Sequence, residues 1–265
     1  MKKISRIQQL FSNSKAYTAY LTAGDGGMQR TLEAALALIA GGVNLLEIGM
    51  PFSDPVADGP IIQRAATRSL ANGTTRQDIL WLIGEIRKIS SIPLILFSYL
   101  NPILSGMPSD FLRHAKNAGI DGLLVVDCPF EESHDLRNEC EQLDIALIQV
   151  ITSSTTLDRI QQINQHAQGF IYYACQKGTT GLRNALPNDF QQKIHTIKSM
   201  VNCPVIVGFG IANHAMANSV LEHADGVVVG SFFVKLLEEG VHPSTLTSHA
   251  REMYGLDTFP NGGHS

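Results

Sequence analysis

The 265-residue chain is short of several things that would assign it to a specialised class. Its four cysteines, Cys128, Cys140, Cys175 and Cys203, stand far apart with no C-x-x-C pair. That spacing suits neither a zinc site nor a disulfide framework, so reduced thiols are expected. Nine histidines are scattered without the three- or four-residue spacing that puts two ligands on one helical face, and no metal is expected. No basic run of any length appears, and the net charge of −4 argues against a nucleic-acid footprint, so any phosphate must be bound locally. Nowhere do eighteen apolar residues run together, and MKKISRIQQLFSNSK lacks a sustained apolar h-region; a cytoplasmic protein is expected. Linkers, internal repeats and low-complexity stretches are also missing.

What is present is a recurring alternation of short apolar runs and helical segments. The strand-like runs are 16–21, 44–48, 94–97, 122–126, 146–150, 170–173, 205–208 and 226–229. Helical patterns lie at 28–40, 75–89, 108–118, 133–143, 156–166 and 189–200, several with polar starts such as Ser133 and Asp189. Crossovers of this length make the strands parallel, and eight parallel strands close most naturally as an α/β (β/α)8 TIM barrel, with a doubly wound open sheet as the runner-up. Extra helices are expected at the N-terminus (2–12, across the bottom of the barrel), after strand two (59–72) and after strand eight (243–254). The expected organisation is one domain over 1–265 with a frayed tail at 258–265.

The stretch Leu45 to Gln63, LLEIGMPFSDPVADGPIIQ, departs from this regular pattern. A buried strand ends with Glu47 and opens into a Gly/Pro/Asp loop, and Pro60 is suited to the first position of the next helix. Glu47 and Asp58 are eleven residues apart, so only the fold can bring them together. A carboxylate at the C-terminal end of a parallel strand would face the ligand crevice, and one on the following loop could close over it. Spacing alone leaves the alternative open: Asp54 and Asp58 making local turn hydrogen bonds, and Glu47 a strand-end charge in water.

Two further features suggest chemistry. The fifteen residues from Ala174 to Asn188 are too long for a plain connector, and Gly178 and Gly181 would let them hinge as a lid. Strands seven and eight both run into glycine as a helix begins, in VIVGFGIAN and VVVGSFFVK. Glycine lets backbone N–H groups approach an anion and a helix N-terminus adds its dipole, which outlines a phosphate cradle; tight strand-to-helix turns are the simpler alternative.

The run from Glu47 to Gln63 closely resembles, without a gap, the signature of the tryptophan synthase alpha subunit family, and the likeness extends over roughly residues 16 to 238. It implies a cofactor-free lyase that cleaves indole-3-glycerol phosphate to indole and glyceraldehyde 3-phosphate by a retro-aldol reaction. Glu47 would shuttle protons, and Asp58 would stabilise charge at the indole nitrogen. The resemblance places the substrate phosphate on Gly181, Gly210, Gly230 and Ser231. It puts Phe209 beside the ligand, Tyr172 near Glu47, and Tyr20, Tyr99 and Phe209 around the indole. Tyr99 and Asn101 match a Tyr-x-Asn-Pro loop, and Asp25 the loop after strand one. Thr180 belongs to the lid, and Asp127 is the acidic residue that receives it when closed.

The implied partner is the tryptophan synthase beta subunit, in an alpha2beta2 heterotetramer, with pyridoxal phosphate only in that partner. Contact would run through 99–107 and 174–188. Departures from the family pattern, Ala19, Gly26, Thr152 to Ser154, Cys175 and Thr179, touch neither carboxylate nor the phosphate glycines. A stand-alone indole-3-glycerol phosphate lyase and a non-catalytic activator of the beta subunit remain the alternatives.

Overall fold

The computed structural model describes residues 4–106, 108–175 and 186–256. Its strands are β1 (Ala16–Thr22), β2 (Leu45–Gly49), β3 (Leu94–Ser98), β4 (Gly122–Val125), β5 (Ala146–Thr152), β6 (Ile171–Ala174), β7 (Val205–Gly208) and β8 (Gly226–Val229). All pair in parallel with their chain neighbours, and β8 pairs with β1, closing a (β/α)8 barrel. The open sheet is thereby excluded.

The helices among the described residues are α1 (Arg6–Asn13), α2 (Met28–Ala40), α3 (Pro60–Ala71), α4 (Arg76–Ile89), α5 (Leu100–Leu104), α6 (Pro108–Ala118), α7 (His134–Gln142), α8 (Leu157–Asn164), α9 (Phe190–Met200), α10 (His214–Leu221), α11 (Ser231–Glu238) and α12 (Pro243–Met253). Starts are set by side chains: Ser5 and Gln8 form a reciprocal box on α1, Thr75 and Asp78 another on α4. Pro60 and Pro243 open α3 and α12, where a missing N–H costs no hydrogen bond. Ser133 and Asp189 do sit at N-caps but do not cap. The Ser133 hydroxyl donates to the Phe130 carbonyl instead (2.7 Å), and Asp189 pairs with Lys193 (2.7 Å). Sequence patterns assign no range to α5, α10 or α11; α5 has only five residues and contains Pro102, so it offers almost no periodicity to read.

Two apolar layers result from alternation along each strand. Outward residues such as Leu46, Leu96 and Leu123 pack beneath the helices, while inward ones such as Leu45, Ile95, Leu124 and Ile206 fill the lumen. At the bottom of the lumen, small residues take the crowded positions. A Cβ on Gly226 would lie 2.6 Å from that of Ala16, its partner across the strand pair. Helix α1 covers this end: Ile7 is buried in the lumen cluster, Phe11 stacks against Phe170 at 6.2 Å, and Arg6 pairs with Asp121 at 2.9 Å. With the bottom plugged, access is from the opposite mouth. There α3 and α11 lean over β1, and Ile62, Ala65 and Val234 join Tyr20 in the lumen cluster.

Candidate active site

Register decides where Glu47 points. It lies level with Tyr20 on β1 and Ile95 on β3 and two residues above Leu45, so it faces into the lumen. Its side chain is 1% exposed, and neither carboxylate oxygen has a hydrogen-bond partner among the described residues. Burial without a partner penalises the charged form, and the pKa is pushed up to about 8. A neutral acid at the end of a strand, buried with no hydrogen-bond partner, is neither a surface charge nor a structural ion pair.

Asp58 comes from the loop after β2 and is 5% exposed. The Tyr99 hydroxyl donates to its Oδ2 at 3.0 Å and accepts from the Ala57 N–H at 3.0 Å, which fixes the loop to the start of α5. Gln63 Nε2, one turn into α3, donates to the Asp58 carbonyl at 2.9 Å. Burial raises the Asp58 carboxyl to about 6, and the Tyr99 hydrogen bond partly offsets that rise. Asp54, in contrast, is exposed and accepts from the neighbouring Ser53 hydroxyl at 2.5 Å, a local turn bond.

Aromatic rings surround the two carboxyls. Tyr20 packs edge-on to Phe97 with centroids 5.2 Å apart, and Phe52 lies 5.1 Å from Tyr99. The phenols of Tyr20 and Tyr172 are held strongly protonated, first by burial and then by the nearby charge, chiefly of Asp58 for Tyr20 and of Glu47 for Tyr172. Both tyrosines fit only because an inward glycine stands beside each. A Cβ on Gly49 would lie 2.1 Å from the Tyr20 hydroxyl oxygen, and one on Gly208 would lie 2.1 Å from that of Tyr172. Sequence patterns do not single out Gly49, Gly208, Phe52 and Phe97 for these roles. The two-residue alternation that places Gly49 two positions after Glu47, on the same face, is the signal that could have found Gly49.

On the far side of the mouth, Phe209 is buried and Gly210 takes a positive φ of 75°, a conformation that a side chain would strain. Helix α10 does not begin at this turn. It starts at His214, and its N-cap Asn213 already accepts from the Met216 N–H at 3.0 Å. After β8 the helix follows at once: Gly230 is the N-cap of α11 and buried Ser231 its first residue. Of these two helix starts, that of α11 is the one without a side-chain cap. Gly181 and Thr180 lie outside the described residues, as do most of the lid expected over 174–188 and the tail at 258–265. Asp127 is exposed, and its Oδ1 accepts the Leu100 N–H at 2.7 Å, securing the start of α5.

Asp25 is buried in a bidentate ion pair with Arg68 of α3 (2.7 and 2.9 Å). Among the described residues no group of three or more His, Cys, Asp or Glu side chains is placed to hold a metal ion, and no helix is long and apolar enough to cross a membrane. The four cysteines are free thiols.

The family model described as Tryptophan synthase alpha chain matches residues 7–258. The tryptophan synthase alpha chain of Coxiella burnetii (strain CbuK_Q154) is 51% identical over 250 residues, covering 94% of this chain and 97% of that protein. The one from Chlamydia caviae is 46% identical over 257 residues, covering 94% and 98%. Among solved structures, tryptophan synthase subunit alpha from Legionella pneumophila str. Paris superposes with a TM-score of 0.85 at 32% identity, covering 95% of this chain and 97% of that one. A chain of the tryptophan synthase complex from Pyrococcus furiosus superposes with a TM-score of 0.83 at 33% identity, covering 91% and 98%.

Proposed function

This chain belongs to the tryptophan synthase alpha chain family, whose lyase reaction cleaves indole-3-glycerol phosphate in tryptophan biosynthesis, and from that premise we propose that Glu47 and Asp58 carry the chemistry. The observation that supports this most directly is the isolated, neutral Glu47 carboxyl in the lumen, poised near physiological pH.

The reaction is a matter of moving protons. Glu47, protonated at rest, gives its proton to C3 of the indole, which leaves positive charge on the ring nitrogen. The Asp58 carboxylate faces that N–H and stabilises the charge. Glu47, now a carboxylate, takes the proton from the hydroxyl on the side-chain carbon bonded to C3. The carbon–carbon bond breaks, its electron pair returns to the ring, and indole and glyceraldehyde 3-phosphate leave with Glu47 protonated again. The family needs no cofactor for this. Tyr20, Tyr99, Tyr172 and Phe209 supply the slot for the ring. The phosphate sits on the backbone N–H groups at Gly181, Gly210, Gly230 and Ser231, with Thr180 and Asp127 acting when the lid closes. The α11 N-terminus and the positive φ at Gly210 support the phosphate assignment.

The partner is the tryptophan synthase beta subunit, which holds pyridoxal phosphate and takes the indole, in an alpha2beta2 heterotetramer. Val56, on the loop that carries Asp58, and Leu104, at the end of α5, expose apolar side chains at the barrel mouth, as such a contact requires. We read the enzyme as cytoplasmic and the stretch 1–265 as one domain. Single-turnover cleavage by Glu47→Gln, with binding of substrate measured separately, tests the assignment. Loss of cleavage with binding retained is expected, and a variant within a few-fold of wild type would refute it.

A further inference from the structure

The two helices that lean over the barrel mouth have separate tasks in the proposed reaction, and they are tied together at their far ends. Helix α3 begins at Pro60, directly after the loop that carries Asp58, and α11 begins at the Gly230–Ser231 turn assigned to phosphate. Near the end of α3, Arg68 holds Asp25 with Nε and Nη2 (2.7 and 2.9 Å) and reaches Glu238, the last residue of α11, with Nη1 (2.6 Å). Arg64, one turn earlier, grips the same Glu238 with two bonds of 2.7 Å. The Ser69 hydroxyl adds a buried bond to the Ala23 carbonyl at 2.6 Å, and Asn72 donates to the Gly24 carbonyl at 3.3 Å. Loop one (residues 23–27, between β1 and α2), α3 and α11 are thus stitched into one body, with Arg68 of α3 reaching both of the others.

None of these charges is among those that act on Glu47, Asp58, Tyr20, Tyr99 or Tyr172, so no proton-transfer step is assigned to the network. Its geometry nevertheless constrains the reaction. Asp58 must meet the indole nitrogen while the α11 N-terminus holds the phosphate at the other end of the same substrate. A fixed distance between the starts of α3 and α11 therefore sets how well one molecule can satisfy both. We propose that Arg68 is a positioning residue that sets the Asp58-to-phosphate spacing by clamping α3 and loop one to α11. This rests on the assignment of Asp58 and of the Gly230–Ser231 turn made above. A bidentate guanidinium suits the role because its planar fork fixes direction as well as distance, which a lysine cannot do. Misplacement on the scale of an ångström costs up to about 100-fold in rate.

The bottom of the barrel supplies a control that loses more hydrogen bonds, since Arg87 also donates to the Ser90, Ile92 and Gly119 carbonyls. There Asp121 is held by Arg87 and Arg6 at 2.9 Å each, an Arg–Asp–Arg cluster of similar kind at the opposite end from the mouth. Steady-state cleavage should be compared for wild type, Arg68→Met, Arg68→Lys and Arg87→Met, well below each variant's unfolding temperature. Arg68→Met should lose about 10-fold or more in kcat/KM, through both a lower kcat and a higher KM, with Arg68→Lys intermediate. Arg87→Met should stay within about two-fold of wild type although it loses a more buried pair. Arg68→Met at wild-type activity, or an equal loss in Arg87→Met, would overturn the proposal. If Arg68→Met does not fold, Glu238→Gln, which leaves the Asp25–Arg68 pair in place, should show a smaller loss in the same sense, and unchanged kinetics would be as damaging. Glu47→Gln measured alongside keeps the two readings apart: its retention of activity would sink the assigned chemistry and leave the comparison of Arg68 with Arg87 intact.

Discussion

Replacing Glu47 by glutamine should abolish cleavage and, at alkaline pH, make the protein more stable. Both effects arise from the same buried carboxyl. In the unfolded chain it titrates near 4.5, whereas in the folded barrel burial lifts it to about 8. Folding therefore favours the protonated form. The stability associated with Glu47 is fully present below about pH 4.5 and is lost as pH rises towards 8, because above that range the folded state must either hold an unpaired buried charge or release a proton less readily than the unfolded state does. Each tenfold difference in proton affinity between the folded and unfolded states corresponds to ~1.4 kcal/mol, so the loss accumulated between about pH 5 and about pH 9 is on the order of 4 kcal/mol. Glutamine carries its own cost for a buried amide, but that cost does not change with pH, so the slope isolates the ionisation. Denaturant unfolding of wild type and Glu47→Gln across this range, alongside single-turnover cleavage, is the assay. The stability difference should move by several kcal/mol in favour of glutamine as pH rises, while cleavage falls by at least ~10² to 10⁴-fold. A difference that stays flat with pH would mean that Glu47 is not held as a neutral acid, and the proton-shuttle argument would lose its basis.

Activity against pH should also discriminate. On the proposed roles, cleavage needs Asp58 charged and Glu47 protonated in the free enzyme, so kcat/KM should rise through about 6, fall through about 8, and lose its acid limb in Asp58→Asn, whose residual activity is low throughout. Asp54→Asn, which disturbs only a local turn, should leave the chemical step near wild type. Gly49→Ala or Gly208→Ala should impair turnover by about 10-fold or more, since the new methyl displaces the Tyr20 or Tyr172 hydroxyl by more than an ångström. Normal kinetics, with the tyrosine unmoved in a crystal structure, would contradict the close packing. Gly210→Val should raise KM for substrate more than it lowers kcat, by straining a backbone with φ of 75° and blocking approach to its N–H groups. Adding a cognate beta subunit should raise indole production well above that of the isolated chain; full activity alone would favour a stand-alone lyase.

Much of this protein is legible in the sequence because its signals are local and repetitive. The apolar runs between helical segments determine eight strands, and their crossover lengths determine that the strands are parallel; the structure shifts most boundaries by only one or two residues. The run from Glu47 to Gln63 singles out both buried carboxyls as candidates because its motif is contiguous. What sequence could not determine depends on contacts between residues far apart in the chain. That Glu47 is enclosed without a partner follows from closure of β8 onto β1 and from the aromatic rings that other strands contribute, and this sets its pKa. Gly208 reads as a phosphate turn, yet its lack of a side chain makes room for Tyr172 on the neighbouring strand. Arg68 reads as an ordinary helix-surface arginine until the fold brings Asp25, 43 residues before it, and Glu238, 170 residues after it, within hydrogen-bond distance of one guanidinium. Alternation along a strand tells which way a residue faces, but only closing the barrel decides what it meets there.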